Sequence, residues 1–297
     1  MTTSPAVDRF RPAQLQTTVP SDSLLHSASA GFLVHRSALL RTEFRTEGLH
    51  FAAQMVELIN PSTSGAVTVY LYEELFGVHN RLHWLVHLKQ PNDYGVLLDM
   101  VDHDQRWREI ADMDRLLTKG GGAWDRIFVE GSIRETVFCP QHGVGHGDDH
   151  ADDTFQPAAR FQTTVPVDRL LHSGNSALTV HRTVQAHYGL REEARLFLFE
   201  WAGRVNEALD GSASAFLYEE MWGRQDRLHL LIHLSDLDAY RRLLDLGDTD
   251  KDLRTLLARQ RVPTVKGGGL WDKLFVDGSM ADEVWAPWHR PAGQSEG

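Results

Sequence analysis

The chain has 297 residues, 42% hydrophobic and 24% charged, a globular composition long enough for about two domains. Lys and Arg number 30 against 41 Asp and Glu, a net charge of −11 that disfavours nucleic acid and anionic membranes, both of which are held through basic charge. A single cysteine, Cys139, excludes an intrachain disulfide and a multi-thiolate zinc site.

In chain order, Met1 to Arg11 carries no apolar run and reads as neither secretory signal nor membrane anchor. No later stretch approaches a membrane span, so a soluble, cytoplasmic protein is expected. Phe32 to Leu40 is rich in strand formers. Leu49 to Ile59 has helical spacing, with Phe51, Met55, Leu58 and Ile59 on one face, and Asn60-Pro61 predicts its end. Ala66 to Phe76 and Leu82 to Leu88 read as two strands joined by the turn Gly77-Val78-His79-Asn80. Tyr94 to Leu117 predicts one long helix, ended by Lys119-Gly120-Gly121-Gly122 as a glycine stop and flexible lid. Ile127 to Val129 and Arg134 to Phe138 supply a last strand or hairpin, completing the order β-α-β-β-α-β.

The same elements return. Leu24-Leu25-His26-Ser27 recurs as Leu170-Leu171-His172-Ser173, Leu71-Tyr72-Glu73-Glu74 as Leu217-Tyr218-Glu219-Glu220, and Arg81-Leu82-His83 as Arg227-Leu228-His229, all at an offset of 146. Lys119-Gly120-Gly121-Gly122 matches Lys266-Gly267-Gly268-Gly269 at 147. A shared register over about 125 residues reads as tandem duplication of one domain. The expected domains are residues 12–142 and 158–290. Residues 143–157 form a Gly/Asp/His linker whose histidines could at most hold a metal loosely.

This order, and in particular the Tyr-Leu-Tyr-Glu-Glu strand, its tight turn and the Arg-Leu-His strand leading into a long helix, resembles the dimeric α/β barrel superfamily of ferredoxin-like domains. The resemblance covers about 90 residues per copy. It implies an α+β chain of two ferredoxin-like βαββαβ domains whose antiparallel sheets face each other as a pseudo-dimeric barrel around a cavity. That superfamily includes cofactor-free monooxygenases, polyketide cyclases, lactone isomerases and haem enzymes, so the fold does not choose the function. Monomer and homodimer are both open.

Alternation assigns the faces. In the third strand Leu82, Trp84, Val86 and Leu88 should pack on helices, and His83, Leu85 and His87 should line the interior. A four-residue turn would place Glu74 opposite His83, Tyr72 opposite Leu85 and Tyr70 opposite His87. The second copy would match with Glu220 and His229, Tyr218 and Leu231, and Phe216 and His233. His35 and His181 join the same wall from the first strand of each copy.

Glu with two or three His is a ligand set for Fe, Mn, Cu, Ni or Zn, and equally an acid–base set. The candidate metal sets are Glu74, His83 and His35, and Glu220, His229 and His181. Tyr72 and Tyr218 join the Glu–His pairs as candidate catalytic residues. His83 and His87 are about 13 Å apart along a strand, too far to share an ion. Tyr70, His87, Phe216 and His233 therefore read as a second layer lining a substrate cavity. Each Glu–His pair is open to three roles: structural ion pair, divalent-metal site, or acid–base centre without metal. The expected function is an enzyme of small-molecule, natural-product-like metabolism performing oxidation, cyclisation or isomerisation. The alternative is a non-catalytic small-molecule or haem-binding protein.

Overall fold

The structure is a computed structural model that describes residues 10–63, 65–142 and 153–291. The expected linker therefore lies largely outside the described residues, as do His146 and His150. The first half contains β1 (Phe32–Leu39), α1 (Arg45–Ser62), β2 (Val67–Phe76), β3 (Arg81–Leu88), α2 (Tyr94–His103), α3 (Gln105–Asp112) and β4 (Arg134–Pro140). The second contains β5 (Leu178–Gln185), α4 (Arg191–Ala208), β6 (Ala213–Trp222), β7 (Arg227–Leu234), α5 (Leu237–Thr249), α6 (Lys251–Ala258) and β8 (Ala281–Pro287). Among the described residues no helix is long and apolar enough to cross a membrane.

The eight strands close one antiparallel barrel in the order β1-β3-β2-β8-β5-β7-β6-β4. This corrects the expectation of two ferredoxin-like domains with separate sheets facing each other. Each half does pair β1 with β3 and β3 with β2, and the register Phe32↔Leu88 recurs as Leu178↔Leu234. The outer strands, however, pair across the halves, β2 with β8 and β4 with β6. The physical reason is the edge. Two separate sheets would leave four rows of unpaired backbone groups, and closure satisfies them all. An eight-stranded barrel is just wide enough for side chains to fill. Accordingly, Leu33, Tyr70, Tyr72, Leu85, Phe138, Phe216, Tyr218, Leu231 and Trp285 pack as a central core inside it.

Two further cores lie outside the barrel, between its wall and the helices. Val67, Val69 and Leu71 of β2, with Trp84, Val86 and Leu88 of β3, face α1 and α2, as the alternation requires. The helix α1 runs through Pro61 instead of stopping before it. A proline in the last turn removes a single intrahelical bond. The buried Asn60 side chain also ties that turn to β2, accepting from Val69 N at 2.8 Å and donating to Val69 O at 3.0 Å. The expected long helix is two, broken at Asp104, whose backbone is extended and whose carboxylate caps α3 at Arg106 N. Lys119-Gly-Gly-Gly lies beyond both. Its three glycines hold φ of 91, 70 and 130°, a turn that other residues would strain, and Asp114 Oδ1 accepts from Gly122 N.

One end of the barrel is plugged. The segments around Ser27 and Ser173 enter it reciprocally: Ser27 N donates to Ser173 Oγ at 2.9 Å, and Ser173 N to Ser27 Oγ at 3.0 Å. Tyr72 Oη donates to Ser173 O and Tyr218 Oη to Ser27 O, at 2.6 and 2.7 Å. His26 and His172 stack on each other, ring centroids 3.6 Å apart.

Candidate functional site

The strand β3 carries its inward residues in steps from the open end of the barrel, Arg81, to the plugged end, His87. At the open end Glu74, His83 and Glu283 converge, with one ligand atom of each within 4.8 Å of the others. His83 Nε2 lies 3.4 Å from Glu74 Oε2. Both atoms are buried and neither makes a hydrogen bond. The other oxygen of Glu74 turns back over the β2–β3 turn and accepts from Val78 N at 2.5 Å. Gly77 makes room for it, since a Cβ there would lie 1.5 Å from Glu74 Oε1. Arg81 Nη1 bonds Glu283 Oε1 at 2.9 Å and approaches Glu74 Oε2 at 3.4 Å.

His35 stands behind His83, not beside it: its Nε2 meets His83 Nδ1 at 3.0 Å. It orients that ring but does not reach the carboxylates, so the expected common point of Glu74, His83 and His35 is replaced by a line. The second half repeats the line, with His181 Nε2 at 2.9 Å from His229 Nδ1 and His229 Nε2 at 3.7 Å from Glu220 Oε2. There His181 Nδ1 also faces Glu283 Oε2 at 3.7 Å. Trp285 stacks on His83 and Phe138 on His229, centroids 4.3 and 4.9 Å apart.

The expected cross-strand register is off by two residues. Tyr72 lies opposite His83, Tyr70 opposite Leu85, and Thr68 opposite His87. The second half agrees, with Tyr218 opposite His229, Phe216 opposite Leu231 and Ser214 opposite His233. A shift of two preserves the faces, so every inward residue stays inward. Glu74 meets His83 diagonally and not across the ladder.

Tyr70, His87, Phe216 and His233 sit deeper, fully buried. His87 Nε2 bonds Ser173 Oγ at 2.8 Å and its Nδ1 accompanies Thr68 O at 3.1 Å. His233 Nε2 bonds Ser27 Oγ at 2.8 Å. These histidines join the plug of one half to the wall of the other.

Burial disfavours the charged form of His35, His83, His87, His229 and His233. It drives His35 well below the ordinary 6.5, and nearby imidazoles add to this. It lowers His83 against the opposing pull of Glu74, lowers His229 to about 4, and takes His87 and His233 to about 3. Burial raises Glu283, but His181, His83 and Arg81 together outweigh it and bring the carboxyl to about 2. A carboxylate, a neutral imidazole with one free nitrogen and a second carboxylate can hold a divalent cation or pass a proton.

Sequence reasoning missed Glu283, Arg81, Trp285 and Phe138. The signal was available: Arg81 is in phase with His83 and His87 on β3, and Glu283 with Trp285 on β8.

A different feature lies outside the barrel. Between the first-half wall and α1, α2 and α3 is an apolar cavity of about 370 Å³, walled by Phe51, Met55, Trp84, Trp107, Trp124 and Phe128 among others, with Arg36 as its sole charged lining residue. Arg36 is held by Glu135, Nε to Oε1 at 2.7 Å, and Tyr94 Oη donates to the same oxygen. In the second half, the position of Met55 is Trp201, which packs into the helix–sheet core beneath Arg182, 5.4 Å from its ring.

Two solved structures share the fold. A provisionally assigned monooxygenase from Fusobacterium nucleatum superposes with a TM-score of 0.50 at 9% identity, over 87% of this chain and 93% of that one. A second provisionally assigned monooxygenase, from Lactobacillus acidophilus, gives 0.50 at 8% identity, over 86% and 93%. At such identity the likeness is one of fold alone. No curated protein matches the sequence. Residues 2–292 match a family of unknown function, DUF6039, and the chain belongs to that family.

Proposed function

We propose that the chain is an enzyme that oxidises a compact, largely aromatic small molecule held in the helix–sheet pocket of the first half. The observation that carries this reading is the pocket: about 370 Å³, apolar, and bordered by a single guanidinium. Small-molecule sites span roughly 300–1,000 Å³ with few polar groups. Trp84, Trp107 and Trp124 line it, and indole rings suit contact with a flat aromatic substrate. Arg36 would exchange its pair with Glu135 for an anionic oxygen, phenolate or enolate, and so favour the electron-rich form of the ring that reacts with dioxygen. Cyclisation or isomerisation of the same anion would use the same lining. Oxidation is preferred because two solved structures of this fold carry a provisional monooxygenase assignment. We read the two halves as copies of one domain, of which the first kept an open seam and the second filled it with Trp201.

A second reading, binding without turnover, is favoured by one observation: the lining contains no His, Asp or Glu to serve as a base. Titration with hydroxylated naphthalenes and benzoates, followed by tryptophan fluorescence and an oxygen electrode, tests both. Saturable quenching with oxygen uptake supports the enzyme, and quenching without uptake supports the binder. Met55→Trp copies the filled seam and should weaken binding at least about tenfold by removing the cavity. Unchanged binding in that variant would overturn the pocket assignment.

A further inference from the structure

We propose that Glu74, His83 and Glu283 bind one divalent transition-metal ion per chain at the open end of the barrel, and that the other half does not form an equivalent site. The donor atoms already lie within 4.8 Å of one another, against bond lengths near 2.0–2.2 Å for such ions, so a small inward movement of carboxylates suffices. Two atoms of the set, His83 Nε2 and Glu74 Oε2, are buried without a hydrogen bond and point at each other across 3.4 Å. A buried polar atom without a hydrogen bond is costly, and a cation between them would satisfy both as Arg81 Nη1, now 3.4 Å from Glu74 Oε2, gives way.

The surroundings fit a metal ligand held in place. His83 Nδ1 is fixed by His35 Nε2, leaving Nε2 directed at the carboxylates. Trp285 packs flat against the ring. Glu74 is anchored through its other oxygen by Val78 N. Arg81 occupies the charge position between the two glutamates, and its side chain is 31% exposed, as Glu283 is 30%, so it can swing outward as an ion enters from the mouth. Two carboxylates and one imidazole suit Zn²⁺, Mn²⁺ or Fe²⁺.

The second half supplies an internal control. It repeats Glu220, His229 and Arg227, yet the position corresponding to Glu283 is Thr136. The registers show this directly: Glu283 pairs with His181 as Thr136 pairs with His35. A threonine hydroxyl is a poor replacement for a carboxylate toward these ions.

The test is equilibrium dialysis of untagged, chelator-stripped full chain against Zn²⁺ and, separately, Mn²⁺, read by elemental mass spectrometry. One ion per chain is expected. Glu283→Gln should weaken it at least about 100-fold, since loss of mere supporting contacts already costs 10–100-fold. Glu220→Gln and the double variant His146→Ala/His150→Ala should keep it. Thr136→Glu should raise the stoichiometry to two. No bound ion at hundred-micromolar metal, or an ion that survives Glu283→Gln in protein shown folded by circular dichroism, would overturn the site.

Discussion

The most exposing perturbation is a single methyl group at Gly77. Its φ of +144° lies where side chains are strained, a cost of about 1–3 kcal/mol. The added Cβ would also stand 1.5 Å from Glu74 Oε1, so the carboxylate must leave and give up its bond from Val78 N. A hydrogen bond to a charged group contributes roughly 1.5–3 kcal/mol. Gly77→Ala should therefore cost about 2.5–6 kcal/mol. Gly131→Ala separates the two contributions, because its φ is +72° and nothing lies within 4 Å of the added atom. That control should cost only about 1–2 kcal/mol. At about 2.1 cal/mol/K of unfolding entropy per residue, a chain of this size moves roughly 1.6 °C per kcal/mol, so calorimetry should place Gly77→Ala about 2–6 °C below Gly131→Ala. Equal midpoints would show that Glu74 does not fold over its turn, and the geometry of the metal site would fall with it.

Acid should unfold the protein through its buried histidines. Their folded pKa values lie below the ordinary 6.5, about 3 for His87 and His233 and about 4 for His229, so their neutral burial stabilises fully above about 6.5 and is lost as pH falls toward 3–4. The urea midpoint should decline from pH 7 to 4.5, and less steeply in His87→Gln; a flat profile would contradict the burial. Asn60→Ala strips a buried donor and acceptor of β2 and should cost about 2–4 kcal/mol, with faster amide exchange at Val69 than at Ala215, the residue Asn206 holds in the other half. Equal exchange at both would refute the role of Asn60.

Legibility in the sequence followed the range of the signal. Period-two alternation is local, and it sent His83 and His87 inward and Trp84 and Val86 outward. The register depends on how a turn is built: here Gly77 and Asn80 take positive φ, 144 and 64°, and the ladder pairs Tyr72 with His83 instead of Glu74. Barrel closure depends on pairings such as Glu74 with Trp285, more than 200 positions apart in the chain, which leave no periodic mark. Glu283 was hidden for the same reason: it joins Glu74 and His83 only once β8 lies against β2. The break at Asp104 was visible as a helix cap, but the apolar spacing on both sides of it favoured one continuous helix.

The exchange of Glu283 for Thr136 has a consequence for symmetry. A barrel assembled from two identical chains must present every side chain twice, so any substitution that builds or spoils a site does so on both faces. With both halves in one polypeptide, that constraint lapses: Glu283 can crowd His181 on one face while Thr136 sits beside His35 on the other. Outside the wall the halves differ too: Met55 lines a cavity in the first, and its counterpart in the second is Trp201, packed against the helix–sheet core. One half can then carry side chains that its counterpart lacks, an asymmetry no homodimer of identical chains can adopt.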